Sequence, residues 1–447
     1  MATTFKVKES PKSEQFLLKE RKFSAHNYTP MPIVYHEAHG VEVTDVDGNI
    51  FLDFGASYGA TNQGHSHPKI VEAVIEQSKT LALPARAFTH DLFGDFCELL
   101  CTKWGFDKVL PLNGGGEAIE FAIKLCRSWG YVTKHIAPNE AKVLMCANNY
   151  HGRHIGVTSG STNPAARKNY GPFVPHVGPS YGEDKILRFN NLGDLKEAFE
   201  LEGDKIAGVI IETVQGEGGI NIPDPDYYDN VRKLCDEYKV LWVADEIQVG
   251  NFRTGKKIWA YENLSNSTPD VLVTAKSITG GLYPVSVVLS SAEIMDTIEP
   301  NSHGGTFTGS PLGCAATIAA VNVLYDEKMG DRADSLGPVM IGGLKELMSK
   351  YDMIKEVRGV GLLSAFDVDE TKIGEGKTAW HVCMFLRAKG IACKMVRNGT
   401  VRWCPPLVIT EEQIKFALEC LEDCCKYLPI MDANEIPDVA RFHFLNH

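Results

Sequence analysis

Residues 240–248 read VLWVADEIQ, and residues 270–281 read DVLVTAKSITGG. Each stretch opens with an apolar run of the length of a buried strand and closes with polar and turn-forming residues. Apolar strands that alternate with helices favour a mostly parallel sheet covered by helices, which is an α/β fold. Such sheets bind ligands at the carboxyl ends of their strands. Asp245 and Lys276, which follow these two strands, are therefore the first candidates for a functional site.

The same alternation continues through the centre of the chain and then changes. Further strands are expected at 108–112, 142–147 and 206–212, with helices over 117–131 and 227–238. The Asp-Gly pair within residues 41–54 predicts a hairpin, and residues 1–35, which lack a sustained hydrophobic period, predict an extended arm. The domain prediction is an arm and hairpin segment at 1–58, a large α/β domain at 59–319 and a small α+β domain at 320–447. We assign no function to the tail after residue 428.

Composition excludes several classes of protein. The 447 residues are 44% hydrophobic and 23% charged, which is typical of a globular chain rather than a disordered one. The net charge of −12 argues against non-specific binding to nucleic acid or to anionic membranes. No apolar run is long enough to cross a bilayer. The first residues do not resemble a transit peptide, so we expect a cytoplasmic protein, or a mitochondrial one whose presequence was removed. The 12 cysteines form no CxxC pair, which favours reduced thiols and no metal site.

The two strand ends and a glycine turn suggest one kind of cofactor chemistry. A partly desolvated lysine can form a Schiff base with an aldehyde cofactor. An aspartate at the neighbouring strand end can hold a protonated pyridine nitrogen, which is the pairing that pyridoxal 5′-phosphate requires. The turn NGGGE at residues 113–117 follows a strand and opens a helix, where backbone N–H groups suit a phosphate. From spacing alone, a helix-capping aspartate and a surface lysine remain the alternative.

Ordered motifs along the chain carry a family resemblance. They are YHEAHGVEVTDVDGNIFLDF, NQGHSHPKI, NGGGEAIEFAIKL, VADEIQVGNFRTG, AKSITGGLYPVS and GTFTGSPLGCAA. In this order and spacing, over residues of about 24–427, the chain resembles a class III aminotransferase of fold type I that depends on pyridoxal phosphate. AHNYTPMP, NNYHGRHIGV, TVQGEGGINIPDP and VRWCPPLVIT are most similar to the ornithine aminotransferases. WGYVTK, followed by APNEAKVLMC, is similar to their cytosolic protozoan branch.

The resemblance implies roles around the cofactor. Lys276 would hold the cofactor aldehyde and then move a proton between substrate and cofactor, and Asp245 would pair with the pyridinium nitrogen. Ile247 and Tyr150 would pack on the two ring faces, and Gln248 would bond the ring hydroxyl. The remaining cofactor-site residues implied by the resemblance are Gly115 and Gly116 at the phosphate, Thr306 of the partner subunit at the same phosphate, and Glu212 behind Asp245.

The resemblance also implies how two substrates share one site. Arg153 would bind the α-carboxylate of ornithine, and Tyr28 and Tyr58 would line the pocket, with Tyr28 meeting the α-amine. Arg402 would bind the 1-carboxylate of 2-oxoglutarate. A permanently exposed Arg402 could capture the wrong end of ornithine, so Glu217 would act as a movable counter-ion that masks it.

The predicted activity is transfer of the δ-amino group of L-ornithine to 2-oxoglutarate, giving L-glutamate 5-semialdehyde and L-glutamate through a ping-pong cycle in a homodimer. N-acetylornithine or 4-aminobutyrate as donor, a glutamate-1-semialdehyde aminomutase and a non-catalytic scaffold are the alternatives. Two departures from the family pattern bear on the cofactor, because Gly114 and Gly305 stand where relatives usually carry hydroxyl residues. Two side-chain donors to the phosphate are therefore expected to be missing.

Overall fold

The computed structural model describes residues 11–436, except for the side chains of Pro11, Asn398 and Asn434. Residues 1–10 of the predicted arm and residues 437–447 of the unassigned tail lie outside the described part. The α-helices within it are α1 Pro11–Phe23, α2 Ala56–Gly59, α3 Pro68–Ser78, α4 Asp91–Trp104, α5 Gly115–Val132, α6 Ile155–Ser159, α7 Pro164–Arg167, α8 Leu192–Glu202, α9 Tyr227–Tyr238, α10 Ala260–Leu264, α11 Ala292–Met295, α12 Pro311–Asp326, α13 Met329–Lys350, α14 Ala379–Ala388 and α15 Glu411–Tyr427.

Seventeen strands lie in the same described range. They are β1 Tyr35–His39, β2 Glu42–Asp45, β3 Ile50–Asp53, β4 Lys108–Leu112, β5 Lys142–Met145, β6 Val177–Gly178, β7 Ser180–Tyr181, β8 Lys185–Ile186, β9 Ile206–Glu212, β10 Leu241–Asp245, β11 Val271–Thr274, β12 Ser286–Ser290, β13 Ile354–Val360, β14 Leu363–Val368, β15 Ile391–Ala392, β16 Lys394–Met395 and β17 Thr400–Trp403. The chain folds into two units, which we call the central unit (68–331) and the composite unit (11–67 with 332–436). The predicted boundaries at 58 and 319 stay predictions.

The central unit is built on a seven-stranded sheet in the order β4-β12-β11-β10-β9-β5-β6. The pairs from β11 through β6 are parallel, whereas β12 runs antiparallel to both of its neighbours. Every residue of β9 and β10 is buried, as expected for strands covered on both faces. The helix α5 supplies much of the core against this sheet, including Phe121 and Leu125. The α/β prediction with a mostly parallel sheet is confirmed.

The composite unit contains two smaller four-stranded sheets. One has the order β1-β2-β3-β15 and includes the predicted hairpin, in which β2 and β3 pair antiparallel. The short strand β15 adds to β3 in parallel, so residues from both ends of the sequence share this sheet. The other sheet has the order β13-β14-β17-β16. Its strand β17 carries Arg402, whose register partners are Ala365 on β14 and Lys394 on β16.

The extended-arm prediction is wrong for residues 11–23, which form α1. The start of this helix is capped from a distance, because Asp47 accepts hydrogen bonds from the backbone N–H groups of Lys12 and Ser13, both at 3.1 Å. The hydroxyl of Ser13 also donates to Asp47 at 3.0 Å, and Leu17 is buried. A cap supplied by a residue more than 30 positions away leaves no local signal in the sequence.

The described residues also bear on membranes, thiols and metals. No helix within 11–436 is long and apolar enough to span a membrane. All 12 cysteines lie in the described part and are free thiols. In the same part, no group of three or more His, Cys, Asp or Glu side chains is arranged to hold a metal ion.

Candidate active site

Three polar residues lie at one edge of the central sheet. Glu212 ends β9 and Asp245 ends β10, and the two residues are register partners. Lys276 lies two residues beyond the end of β11, where its backbone takes a φ of 55° and a 3₁₀ turn begins. Left-handed backbone at a non-glycine residue is costly and is typical of functional sites. Because these strands are parallel neighbours, all three residues occur where a doubly wound sheet binds its ligand.

Asp245 is held by two hydrogen bonds inside the protein. Its Oδ2 lies 2.6 Å from Nδ1 of His151, and its Oδ1 accepts the backbone N–H of Ile247 at 3.0 Å. Both side chains of the Asp245–His151 pair are almost completely buried. Burial acts to lower the pKa of His151, but the hydrogen bond and the charge of Asp245 outweigh it, so the pKa of His151 is raised. The carboxylate of Asp245 therefore favours the protonated form of the imidazole beside it.

Glu212 holds two backbone segments rather than Asp245 itself. Its Oε1 accepts the N–H of Tyr150 at 2.8 Å, and its Oε2 accepts the N–H of Gly216 at 3.0 Å. Burial raises the pKa of Glu212 to about 7, and the nearby charge of Asp245 acts in the same direction. Glu212 thus fixes the start of the segment that carries His151 and the start of the loop that carries Glu217.

The glycine turn meets the lysine and aspartate segments. Gly114 precedes the first turn of α5, and its carbonyl accepts the hydroxyl of Ser286 at 2.9 Å. A Cβ atom on Gly115 would lie 3.1 Å from the side chain of Ile247 and 3.7 Å from Ala275, the residue before Lys276. A glycine at this position leaves the space open, because it has no side chain. The first N–H groups of α5, which have no partner within the helix, lie at the same turn.

Other predicted residues line the same region of the central unit. The ring of Tyr150 is half-buried, and the guanidinium carbon of Arg153 lies 5.9 Å from its centroid. Arg153 is exposed, and Glu217 is half-buried in the loop after β9. The side chain of Gln248 lies against Gly216, where a Cβ atom would fall 1.7 Å from its Oε1.

Thr306 lies in an exposed loop of the central unit. Its contact with the cofactor of a partner subunit stays a prediction.

The composite unit brings the remaining three predicted residues together. Tyr28, Tyr58 and Arg402 line one cavity of about 510 Å³. Arg402 is 5% exposed, and its guanidinium carbon lies 5.0 Å from the centroid of Tyr58, within the range of a cation–π contact. The predicted exchange between Arg402 and Glu217 joins the two units and stays a prediction.

Comparisons with known proteins identify the family. The family profile described as "Aminotransferase class-III" matches residues 23–425. The chain belongs to the class-III aminotransferases. It is 44% identical to the ornithine aminotransferase car2 of Schizosaccharomyces pombe, over 94% of this chain and 95% of that protein. The crystal structure of the ornithine aminotransferase from Toxoplasma gondii ME49 superposes with a TM-score of 0.87 at 37% identity, covering 94% of this chain and 96% of that one. The acetylornithine aminotransferase of Elizabethkingia anophelis gives a TM-score of 0.83 at 41% identity, covering 93% and 99%.

The cofactor of this class-III aminotransferase is pyridoxal 5′-phosphate, and the central unit fits it. Gly115 leaves a space that a Cβ atom would fill, at the positive end of an 18-residue helix, which suits a phosphate. Asp245 is a buried carboxylate with a fixed orientation, which suits a protonated ring nitrogen. Nε2 of His151 is buried and has no hydrogen-bond partner among the described residues, so a polar atom remains to be satisfied there.

Sequence reasoning missed two histidines that the structure places at this class-III site. The sequence motifs assign no role to His151, whereas in the structure it bonds Asp245 directly. His154 was not singled out, yet its ring covers Gly116. The motif YHGRH at 150–154 was the available signal, since it places two histidines beside a predicted ligand.

Proposed function

We propose that this protein transfers the δ-amino group of L-ornithine to 2-oxoglutarate, producing L-glutamate 5-semialdehyde and L-glutamate. The observation that carries the proposal is the meeting of Asp245, Gly115 and the Lys276 segment at one sheet edge, in a chain that matches ornithine aminotransferases over nearly its whole length. When bound, pyridoxal phosphate supplies an electrophilic carbon and a ring that accepts electrons.

Residues of the protein would hold the cofactor ring and transfer protons to and from the substrate. The ε-nitrogen of Lys276 would hold the cofactor aldehyde and would then take and return the proton at the substrate carbon. Asp245 would hold the protonated ring nitrogen. His151 fixes the orientation of that carboxylate through the 2.6 Å contact and supports its negative charge.

The residues of the substrate pocket bind different charged groups of the two substrates. Arg153, an exposed guanidinium next to Tyr150, binds the α-carboxylate of ornithine and leaves its δ-amine free. Tyr28 meets the α-amine, and Tyr58 lines the cavity. Arg402 binds the 1-carboxylate of 2-oxoglutarate, and Glu217 masks Arg402 while ornithine is present. The burial of Arg402 supports this role, because a desolvated guanidinium binds a carboxylate more strongly than one in water.

A screen of single half-reactions tests the proposal. The loaded enzyme is mixed with ornithine, N-acetylornithine or 4-aminobutyrate without an oxo-acid, and loss of the visible absorbance of the cofactor is followed. Ornithine is expected to react fastest and to yield the semialdehyde. An enzyme that does not react with ornithine would contradict the proposal. Turnover that needs no 2-oxoglutarate would also contradict it and would favour an isomerase.

N-acetylornithine is the second candidate donor, favoured by the likeness to the Elizabethkingia anophelis acetylornithine aminotransferase. The two donors differ at the α-amine, which is acylated in one and charged in the other. A pocket for the acylated donor should not depend on the hydroxyl of Tyr28. The Tyr28→Phe variant is therefore expected to raise the KM for ornithine and to leave that for N-acetylornithine unchanged. An unchanged KM for ornithine would favour the second candidate.

The homodimer is part of the same proposal, with Thr306 reaching the phosphate in the partner's site. The exposure of Thr306 and of Phe307, which is 52% exposed, supports an interface at this loop. Mixed dimers of Lys276→Ala and Thr306→Ala chains test it, because one site of each mixed dimer would then have both residues intact. Recovery of activity on mixing is expected, and no recovery would contradict action across the interface.

We place the enzyme in the cytoplasm. The free state of all 12 cysteines supports a reducing compartment. Cell fractionation with an antibody tests this, and enrichment in mitochondria would contradict it.

A further inference from the structure

One short segment of the central unit reaches both ends of the proposed cofactor site. His151 bonds Asp245, where the ring nitrogen would lie. Next along the chain, Gly152 has a φ of 127°, and a Cβ atom on it would fall 2.9 Å from the Cα of Gly116. The chain therefore passes directly against the first turn of α5, where the phosphate would lie. His154, two residues further along, lies at the phosphate end of the proposed site.

The ring of His154 takes the place of a side chain on Gly116. A Cβ atom on Gly116 would fall 2.2 Å from Nδ1 of His154 and 2.6 Å from Cε1. Every Cα–Cβ bond of a helix tilts toward the helix N-terminus. An imidazole at this position therefore lies on the N-terminal side of Gly116, toward the end of α5 whose N–H groups have no partner within the helix.

The polar groups around the ring leave its own hydrogen-bonding capacity unused. No described residue forms a hydrogen bond with the side chain of His154, which is exposed. The neighbouring Glu117 is engaged elsewhere, because its Oε2 accepts the N–H groups of Asn113 at 2.8 Å and Gly114 at 3.2 Å. Burial acts to raise the pKa of Glu117, but these hydrogen bonds outweigh it and the pKa is lowered. Glu117 thus places a negative charge at the first turn of α5, and the electrostatic influence of the nearby His154 lowers that pKa further.

We propose that His154 is a ligand of the cofactor phosphate, donating an imidazole N–H to a phosphate oxygen. The inference rests on the proposed function, since it requires pyridoxal phosphate at this site. The imidazole of His154 supplies a side-chain hydrogen-bond donor at a turn where Gly114 offers none. Gly116 and Gly152 then have a specific purpose, because a side chain at either position would displace the ring or the segment that carries it.

Cofactor affinity, rather than activity, tests the inference. The apoenzyme is titrated with pyridoxal phosphate and separately with pyridoxal, which lacks the phosphate, and binding is followed by protein fluorescence. A hydrogen bond to a charged group contributes about 1.5–3 kcal/mol, so His154→Ala is expected to weaken binding of pyridoxal phosphate by about 10- to 150-fold. Binding of pyridoxal should be unchanged. His154→Gln, which keeps an N–H donor, should recover part of the loss, and His36→Ala, at an exposed histidine in the composite unit, is the control.

A second variant approaches the same contact from the helix. Gly116→Ala is expected to push the ring aside and to weaken binding of pyridoxal phosphate, and adding His154→Ala to it should cause little further loss. Equal binding of pyridoxal phosphate by wild type and His154→Ala, or an equal loss for pyridoxal, would overturn the inference while the proposed function stands. A wild-type protein that takes up no pyridoxal phosphate would overturn both. Circular dichroism of each variant establishes that it is folded.

Discussion

The His151–Asp245 pair gives the sharpest expectation about catalysis. Replacing His151 by alanine leaves Asp245 with one hydrogen bond, from the N–H of Ile247, in a site that is otherwise buried. The lost contact is short, at 2.6 Å, and involves an ionised carboxylate. Such a bond contributes about 2 kcal/mol, within a range of about 1.5–3. If Asp245 is less able to hold the proton of the ring nitrogen, that energy is lost in the transition state, and amine transfer should slow about 30-fold.

The assay is a single-turnover reaction of the loaded enzyme with ornithine, followed by the visible absorbance of the cofactor. His151→Asn is the matched control, because Nδ2 of asparagine is attached at the same side-chain position as Nδ1 of histidine and can donate to Asp245. We expect the asparagine variant to retain most of the rate. A rate for His151→Ala equal to that of wild type, or an asparagine variant as slow as the alanine variant, would refute the reasoning.

Three further predictions concern stability and substrate binding. Nζ of Lys134 donates hydrogen bonds to the carbonyls of Gly203, Ile206 and Tyr238 at 2.6, 2.8 and 2.9 Å. Lys134→Met removes all three, so it should lower the free energy of unfolding by about 3 kcal/mol. Urea titrations measure this change, and a loss too small to measure would contradict the prediction. Asp53 accepts hydrogen bonds from the N–H groups of Gly55 and Ala56 and lies 2.7 Å from Nε2 of His65, and these contacts fix a left-handed turn that includes Tyr58. Because Tyr58 lines the same cavity as Tyr28 and Arg402, Asp53→Ala should raise the KM for both ornithine and 2-oxoglutarate, and an unchanged KM for both substrates would contradict this. The pKa of Glu212 is raised from 4.5 to about 7, so its stabilising contribution is complete below pH 4.5 and is lost as the pH rises through 7. The melting temperature should therefore fall over that interval in wild type and fall less in Glu212→Gln, and identical slopes would count against the assignment.

The strands and helices with a clear period could be predicted from the sequence alone. Strands at 108–112 and 206–212 and the helix at 227–238 have the predicted bounds, because unbroken apolar runs and a helical period are local properties. The direction of β12 could not be predicted, since its apolar sequence fits a buried strand of either direction. The helix α1 was missed because its cap, Asp47, comes from the hairpin turn.

The candidate site shows the same division between local and distant information. Asp245, Lys276 and the glycine turn could be found because each closes or follows an apolar strand. The role of His151 could not, because its partner is 94 residues away and no spacing rule joins them. His154 was hidden for a related reason. The residue that makes room for its ring is Gly116, and a glycine in a helix start shows which side chain covers it only after folding.

Covalent trapping of the cofactor tests the central claim most directly. The protein is incubated with pyridoxal phosphate, reduced with borohydride, digested and analysed by mass spectrometry. We predict a pyridoxyl label on Lys276 that is absent from the Lys276→Ala variant. A label on another lysine, with Lys276 unmodified, would contradict the account of the site.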